Sequence, residues 1–506
     1  MQALKKRKSI KYIMISIALL LCLTIAVISS AQSLDSAPNA VVMPTASATL
    51  NATYGALYHG STYRYTDYRK VEQMHSGAIT DDTTLVTIDS TKPHGSQENP
   101  FVINSTAKWN AFAADMNNTS SGITDYGEGD YFVLAKDLDV SGLTFVLVNR
   151  FSGTFYGLGN TIKNLSIVGS ASCAPFVVLA NGKITDLNNY NFNYLNCDQQ
   201  SGIVSSLNGD GYILNCHVQG QASCDASAPS VIQRCIGGIV AMVDPKTGAD
   251  YNDIIIYRCS ASFSATNLFS NSTGNSILGA IVGCRYRNAI TILDCYSKHT
   301  VACGFAGQGY LGSLVGDFAD DGDVRIENCV ADVLQTNLQA CSSLELAGAL
   351  ASSWVLSTDY TIASINVKNC YLIGDGERSG SNFALVPIVA EIGADARLYH
   401  TANVDNLKYT SRYSTEWTPR LNNVKSSRFN LEPGVSKVSS VSTLLADAGA
   451  SSSPLSNAIW DKSKLTDSYS YTIDTSPVIN KFVKEQFDVE FYNYKNNSDE
   501  SIGVTT

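Results

Sequence analysis

Several common signatures are missing from this 506-residue chain. There is no Cys-x-x-Cys pair, so a zinc or thioredoxin-type site has no support. No H-E-x-x-H occurs, which removes the common metalloprotease helix, and no G-x-S-x-G nucleophile elbow. Positive charge is scarce: 35 Lys and Arg stand against 45 Asp and Glu, a net charge of −10. Five of the bases, Lys5, Lys6, Arg7, Lys8 and Lys11, crowd the N-terminus, and without them the balance is −15. Nucleic acid and anionic membranes demand a positive face, so neither is expected as a partner. A helical period is held only in Thr106 to Met116 and Val441 to Ala450, which leaves little support for a helical fold.

What is present begins with an address. The five bases precede Ile13 to Ile28, an apolar run broken only by Ser16 and Thr24, and Ser29-Ser30-Ala31 offers small residues for cleavage after Ala31. The run is slightly short for a spanning helix, which needs about 17–25 residues. Residues 1–31 are therefore expected to be a signal peptide, with an uncleaved anchor as the alternative and the only expected link to a membrane. Export makes the chain secreted or cell-surface.

The stretch FSGTFYGLGNTIKNLSI, Phe151 to Ile167, carries the main signal. An apolar residue, then a polar bend residue, then a small or apolar residue occurs at Asn164-Leu165. The pattern returns at Asp186-Leu187, Asn215-Cys216, Arg258-Cys259, Asp294-Cys295, Asn328-Cys329 and Asn369-Cys370. A second marker alternates with it: SGIVS (Ser201 to Ser205), GGIVA (Gly237 to Ala241), GAIVG (Gly279 to Gly283), GSLVG (Gly312 to Gly316) and GALAS (Gly348 to Ser352). Self-similarity on this scale means a stacked solenoid. Asn, Asp and Gly tolerate the left-handed conformation of a sharp bend, and stacked amides can hydrogen-bond from coil to coil. The 22 residues from Asn164 to Asp186 fit one three-strand coil. The later intervals of 29, 43, 36, 34 and 41 fit one or two coils with insertions. About a dozen coils spaced by ~4.8 Å would make a stack near 60 Å long.

Twelve cysteines follow the signal, all between Cys173 and Cys370. Export suggests disulfides. Five sit at the same point of the repeat, however, where a strand aims them inward, so a column of buried free thiols is the preferred reading. Isolated bridges among Cys224, Cys303 and Cys341 stay open.

The chain then divides as follows. Residues 32–97 form a loosely ordered leader whose tyrosines (Tyr54, Tyr58, Tyr63, Tyr65, Tyr68) could pack on the first coils, and 98–400 form the solenoid. Within it, Ser105 or Thr106 caps a helix whose Trp109, Phe112 and Met116 make one apolar stripe closing the open end. Residues 401–482 are expected to cap the other end, and 483–506 to form an acidic mobile tail.

The ENPFVINSTAKWNAFAADMNN segment, Phe151 to Leu165 and the recurring GGIV and ENCVAD segments resemble the GLUG-type repeat region of bacterial exported surface proteins. NAIWD, with Trp460-Asp461, resembles the closing element of such repeats. The resemblance spans about Glu98 to Leu465. It implies a right-handed parallel β-helix with adhesive or structural roles. Some family members carry a metalloprotease domain, which the missing H-E-x-x-H keeps from being carried over.

Candidate chemistry is thin. Asp317, Asp320, Asp321 and Asp323 could hold calcium through carboxylate oxygens, although a solvated turn is the simpler reading. The same holds for Asp125, Glu128 and Asp130. Gly307 to Gly312 matches G-x-G-x-x-G but leads into a repeat strand, so no pyrophosphate site is expected. His217 and His299 are expected on the surface. Within NNYNFNYLN, the aromatics Tyr190, Phe192 and Tyr194 could stack on sugar rings. Asn164, in a Asn-x-Ser sequon, falls in a predicted core bend and is expected to stay unmodified. No catalytic residue and no cofactor other than that calcium is expected.

The expectation is thus an all-β, right-handed parallel β-helix with an N-terminal capping helix and a small C-terminal cap. Its role is a non-enzymatic adhesin or structural surface module, monomeric, with an extracellular glycan or a host or neighbour-cell surface as partner. The alternative is a polysaccharide lyase or glycoside hydrolase of the β-helix type, which would draw on Asp317 to Asp323 and on Arg285, Arg287 or Arg325.

Overall fold

The computed structural model describes residues 93, 95–97, 99–118, 126–224, 233–244, 253–266, 275–286, 288–302, 308–319, 323–339, 345–348, 351–354, 364–374, 376–379, 383–386, 389–392, 401–410, 424–426, 433–457 and 459–468, with short strands at 56–57, 62–66, 83–87, 491–493 and 501–502. The signal segment, Tyr54, Tyr58, Tyr68, Cys303, Cys341, Asp125, Asp320, Asp321 and Arg287 lie outside these residues, as does most of the expected tail. Tyr63 and Tyr65 fall on Thr62–Thr66, which pairs antiparallel with Thr83–Thr87.

Parallel strands wind around one interior in three sheets, of 20, nine and seven strands. In one coil the chain runs through Asp253–Tyr257, turns at Arg258-Cys259 and continues along Ser260–Thr266. Asn275–Gly279 and Val282–Tyr286 complete the circuit. The first two strands belong to the 20-stranded sheet, which is bent at the turn, and the others to the seven- and nine-stranded sheets. The next coil repeats this in register, with Ile254 beside Ile290, Ile256 beside Ile292 and Gly279 beside Gly312. The alternation of DIIIY explains the burial: Ile254 and Ile256 point inward and are buried, while Ile255 points out. The fold is an all-β parallel solenoid.

Both sequence markers fall into columns. Asp186, Asn215, Arg258, Asp294, Asn328, Asn369 and Asn406 all have φ between 51° and 55°, the left-handed region. Behind them Leu187, Cys216, Cys259, Cys295, Cys329, Cys370 and Leu407 form one fully buried inward column. Each thiol of the five donates to the carbonyl two residues back, as Cys295 Sγ does to Leu293 O at 3.3 Å. Burial holds the Cys216, Cys295, Cys329 and Cys370 thiols well above their ordinary pKa. The one disulfide among the described residues joins Cys173 to Cys197, a pair outside that column and not expected. Cys224 is buried. In the second marker, Ser201, Gly237, Gly279, Gly312 and Gly348 stand in register at a tight corner. A Cβ on Gly237 would lie 1.8 Å from Val240 O, and one on Gly279 2.0 Å from Val282 O, so these two coils close their corner only over glycine, whereas the first coil carries Ser201 there.

Three expectations need correction. Asn164-Leu165 is not the first member of the bend column: Lys163 pairs with Tyr190 and Ser166 with Asn193, which places Asn164 against Asn191 and Leu165 against Phe192 at a different corner. The coil-to-coil equivalent of Asp186 is Gly157, since Tyr156 pairs with Thr185. The 22-residue interval therefore measures no coil, and each later interval is a single coil. Among the described residues the nine-stranded sheet holds eight parallel strands and one antiparallel, Val424–Ser426, while the file from Phe101 to Val404 in the 20-stranded sheet holds ten, giving eight to ten coils and a stack of roughly 38–48 Å at ~4.8 Å per coil.

The third correction concerns the C-terminal region. Thr401–Thr410 is one more bent pair of strands, and Val435–Lys437 pairs with it. From there the chain doubles back along the outside of the bend. Helix α2, Val441–Gly449 (helix α1 is Thr106–Met116, below), is capped by Ser440, whose hydroxyl accepts from Thr443 N. Val441, Leu444, Leu445 and Ala448 of α2, with Leu455, Ile459, Trp460 and Leu465, pack on Leu214, Tyr257, Leu293, Tyr296, Val330, Tyr371 and Ile373. Val441–Leu465 is thus a lateral strap over several coils. A solenoid coil buries its inner face on its neighbours, but outward apolar side chains need a separate cover, and the strap supplies it.

Helix α1, Thr106–Met116, behaves as expected. Ser105 Oγ accepts from Lys108 N, and Trp109, Phe112, Ala113 and Met116 are buried against Phe132, Phe151, Phe155 and Phe176.

Candidate ligand-binding face

Beyond the bend, the strands Asn188–Leu195, His217–Ser223, Ser260–Thr266 and Tyr296–Ala302 stack in register and turn one side to solvent. Their inward residues, such as Val218, Ala261, Phe263 and Val301, fill the core. The outward ones form polar columns. One reads Tyr190, Gln219, Ser262, Lys298, Asp332 and the next Asn193, Gln221, Ser264, Thr300. Asn193 and Gln221 are exposed, and Tyr190, Gln219, Ser262, Ser264, Lys298 and Thr300 half-buried. Lys298 and Asp332 approach to 4.0 Å, so the lone ammonium of these columns is balanced. The result is a lattice of amides and hydroxyls spaced by ~4.8 Å along the stack and roughly 6.6 Å along each strand. Such a lattice presents many weak hydrogen-bonding groups at fixed separation.

The aromatic platform expected at Tyr190, Phe192 and Tyr194 does not exist as such. Asn191 takes φ 59°, and this one left-handed residue reverses the alternation. Tyr190 points outward, whereas Phe192 and Tyr194 turn into the core, where their rings stack at 4.8 Å. Tyr194 Oη accepts from Asn189 Nδ2 at 3.2 Å, and burial pushes its phenol well up. Only Tyr190 remains on the face, packed partly against the strap cluster.

The other candidates disperse. Asp317 is buried on a strand beside Cys284, while Asp323 is exposed, and among the described residues no group of three His, Cys, Asp or Glu is suited to a metal ion. Glu128 and Asp130 lie in the turn before Tyr131. Gln308–Gly312, within the G-x-G-x-x-G match, is a repeat strand. Arg285 shares an inward column with Leu207 and Val243 and donates to Asn288 O at 3.0 Å; Arg325 pairs with Glu327 at 2.9 Å. Of the arginines named for a lyase, Arg285 and Arg325 are thus engaged within the scaffold, and Arg287 lies outside the described residues.

Neither histidine is on the surface. His217 is held between Ser260 Oγ at 2.7 Å and Asn215 Oδ1 at 3.2 Å. His299 points inward and stacks on Phe263 at 5.4 Å with both ring nitrogens unpartnered; burial lowers its pKa to about 3. Asn164 is half-buried on the outside, its Nδ2 donating to Asp139 and its Oδ1 accepting from Asn191, so its amide is engaged although the bend is not a core one.

A polar line beneath the strap leaves little mark in the sequence. Trp460 Nε1 donates to Asp294 Oδ1 at 3.2 Å, and Arg258 lies next to that carboxylate. The available signal was the pair of charged residues at bend positions that elsewhere hold mostly Asn. Among the described residues no helix is long and apolar enough to cross a membrane.

No protein-family model matches the chain, and no curated protein matches it. Among solved structures the chain is similar to the crystal structure of a putative immunoglobulin A1 protease from Bacteroides ovatus, at 19% identity and a TM-score of 0.37, over 58% of this chain and 85% of that one.

Proposed function

We propose that the chain is an exported, non-catalytic surface module of the GLUG-repeat kind that binds an extracellular glycan along the polar face of the bent sheet. The carrying observation is the registered lattice of Gln219, Ser262, Asn193, Gln221, Ser264 and Thr300 on a rigid parallel sheet. Repeating hydroxyls of a polysaccharide match repeating amides and hydroxyls of a protein, and many weak bonds on one rigid surface add through avidity. The basic and apolar N-terminus supports export, and the acidic balance favours a neutral ligand over an anionic one. Arg285 and Arg325, tied into the scaffold, speak against the lyase alternative.

The test is binding of the full chain to a glycan array, repeated with Asn193→Ala/Gln219→Ala/Gln221→Ala and with a control, Lys183→Ala, on another face. The expected result is at least a tenfold weaker signal for the triple variant with the control unchanged. Equal loss in both, or turnover of any glycan, would overturn the reading.

A further inference from the structure

The ridge under the strap is apolar except for one line of bend residues. Amide bonds tie most of that line together: Asn215 donates to Asp186 at 2.6 Å, Asn369 to Asn328 at 3.0 Å and Asn406 to Asn369 at 3.1 Å. Arg258 and Asp294 interrupt it with opposite charges, 4% and 1% exposed. Coil stacking does not require a carboxylate at this corner, because Asn serves at 328, 369 and 406 with the same left-handed backbone. What Asp294 adds is a contact with the strap, through the Trp460 indole, across 166 residues of sequence. Trp460 is itself 1% exposed, so its N–H needs an acceptor there.

We propose that Asp294 is a proton-linked latch that sets how firmly Val441–Leu465 is held on the ridge, gripping in acid and loosening as pH rises. A carboxylate roofed by Trp460 and the apolar strap is disfavoured in its charged form, and lifting the strap returns it to water. Burial pushes Asp294 up to about 7, even though the Trp460 bond, Arg258 and an Asn328 bond all favour ionisation. With an ordinary value near 3.9 when open, the closed state holds a proton between those limits that the open state releases. Closure is therefore strongest below that window and weakens through it. Between pH 5 and pH 8 the opening constant should rise on the order of a hundredfold.

The other titratable groups facing the latch are known. On the coils they are Arg258, Glu327, His217 and the ridge tyrosines Tyr257, Tyr296 and Tyr371. On the strap Asp447 pairs with Lys408, Asp461 with Lys464, and Lys462 Nζ donates to Ala450 O and Ser453 O.

Hydrogen exchange of the full chain separates the contributions. Protection of 441–465, corrected for the intrinsic rate and referenced to strand amides of 289–293, should fall about a hundredfold from pH 5 to pH 8. In Asp294→Asn, which keeps an oxygen acceptor for the indole, it should be flat. The same fall in Asp294→Asn would assign the effect to another group and overturn the proposal. Wild-type chain alone tests the sign: protection that is constant or rises with pH overturns it whether or not the variant folds.

Discussion

At the scale of single residues, His299 is a titratable ring set among hydrocarbon. It lies inward between Phe263 and Val333 in its column, without a partner for either nitrogen. Its folded pKa of about 3 lies below an unfolded value near 6.5, so in that window the unfolded chain binds the extra proton. Stability contributed by the neutral ring is complete above pH 6.5 and declines as pH falls, by about 1.4 kcal/mol per unit. Asp294 acts with the opposite sign over the upper part of the same window, because its folded value is raised. The difference between His299→Phe and wild type isolates the histidine. Denaturant unfolding should find the variant gaining on wild type steadily from pH 6.5 to pH 4. A constant difference across that range would show that His299 does not titrate on unfolding. Removing an unsatisfied buried polar group should also favour the variant at pH 7, by about 1–3 kcal/mol.

At the scale of elements, α1 does more than cover the end with its apolar stripe. Its Asn110 accepts from Val146 N at 2.9 Å and donates to Thr144 O at 2.8 Å. Asn117 does likewise with Asn149 N at 2.7 Å and Leu147 O at 2.8 Å. Two helix amides thus occupy backbone groups that an uncapped coil would leave free to pair with another chain. Asn117→Ala should lower the unfolding midpoint and promote concentration-dependent association, measured by light scattering; a variant that is destabilised yet stays monomeric would show that the edge is protected otherwise. The helix and the two corner columns were legible in sequence because each rests on local chemistry: a cap, a period, a residue that tolerates left-handed backbone or a missing Cβ. The failures share a cause as well. Asn164 and Asp186 satisfy the same local rule at different corners, and Asn191 reverses the facing of Phe192 and Tyr194 without leaving any mark on the alternation. The strap's docking on Asp294 is a contact of very high sequence separation, and no local pattern encodes such a contact. The aromatic platform fails for the parity reason alone, while the polar columns beside it appear only once the register is known.

At the scale of the whole stack, each coil contacts chiefly its neighbours, so the fold is a sum of repeated interfaces joined by the corner columns. The seven outward positions Lys183, Tyr212, Ile255, Thr291, Arg325, Asn366 and Asn403 stand in one file, one per coil. A single number therefore links residues hundreds of positions apart. Spin labels placed at position 183 and, in turn, at 325, 366 and 403 should give electron–electron distances near 19, 24 and 29 Å, rising by ~4.8 Å for each coil crossed. Distances that fail to rise in that order, or a separation from 183 to 403 well beyond 40 Å, would contradict the registered parallel stack.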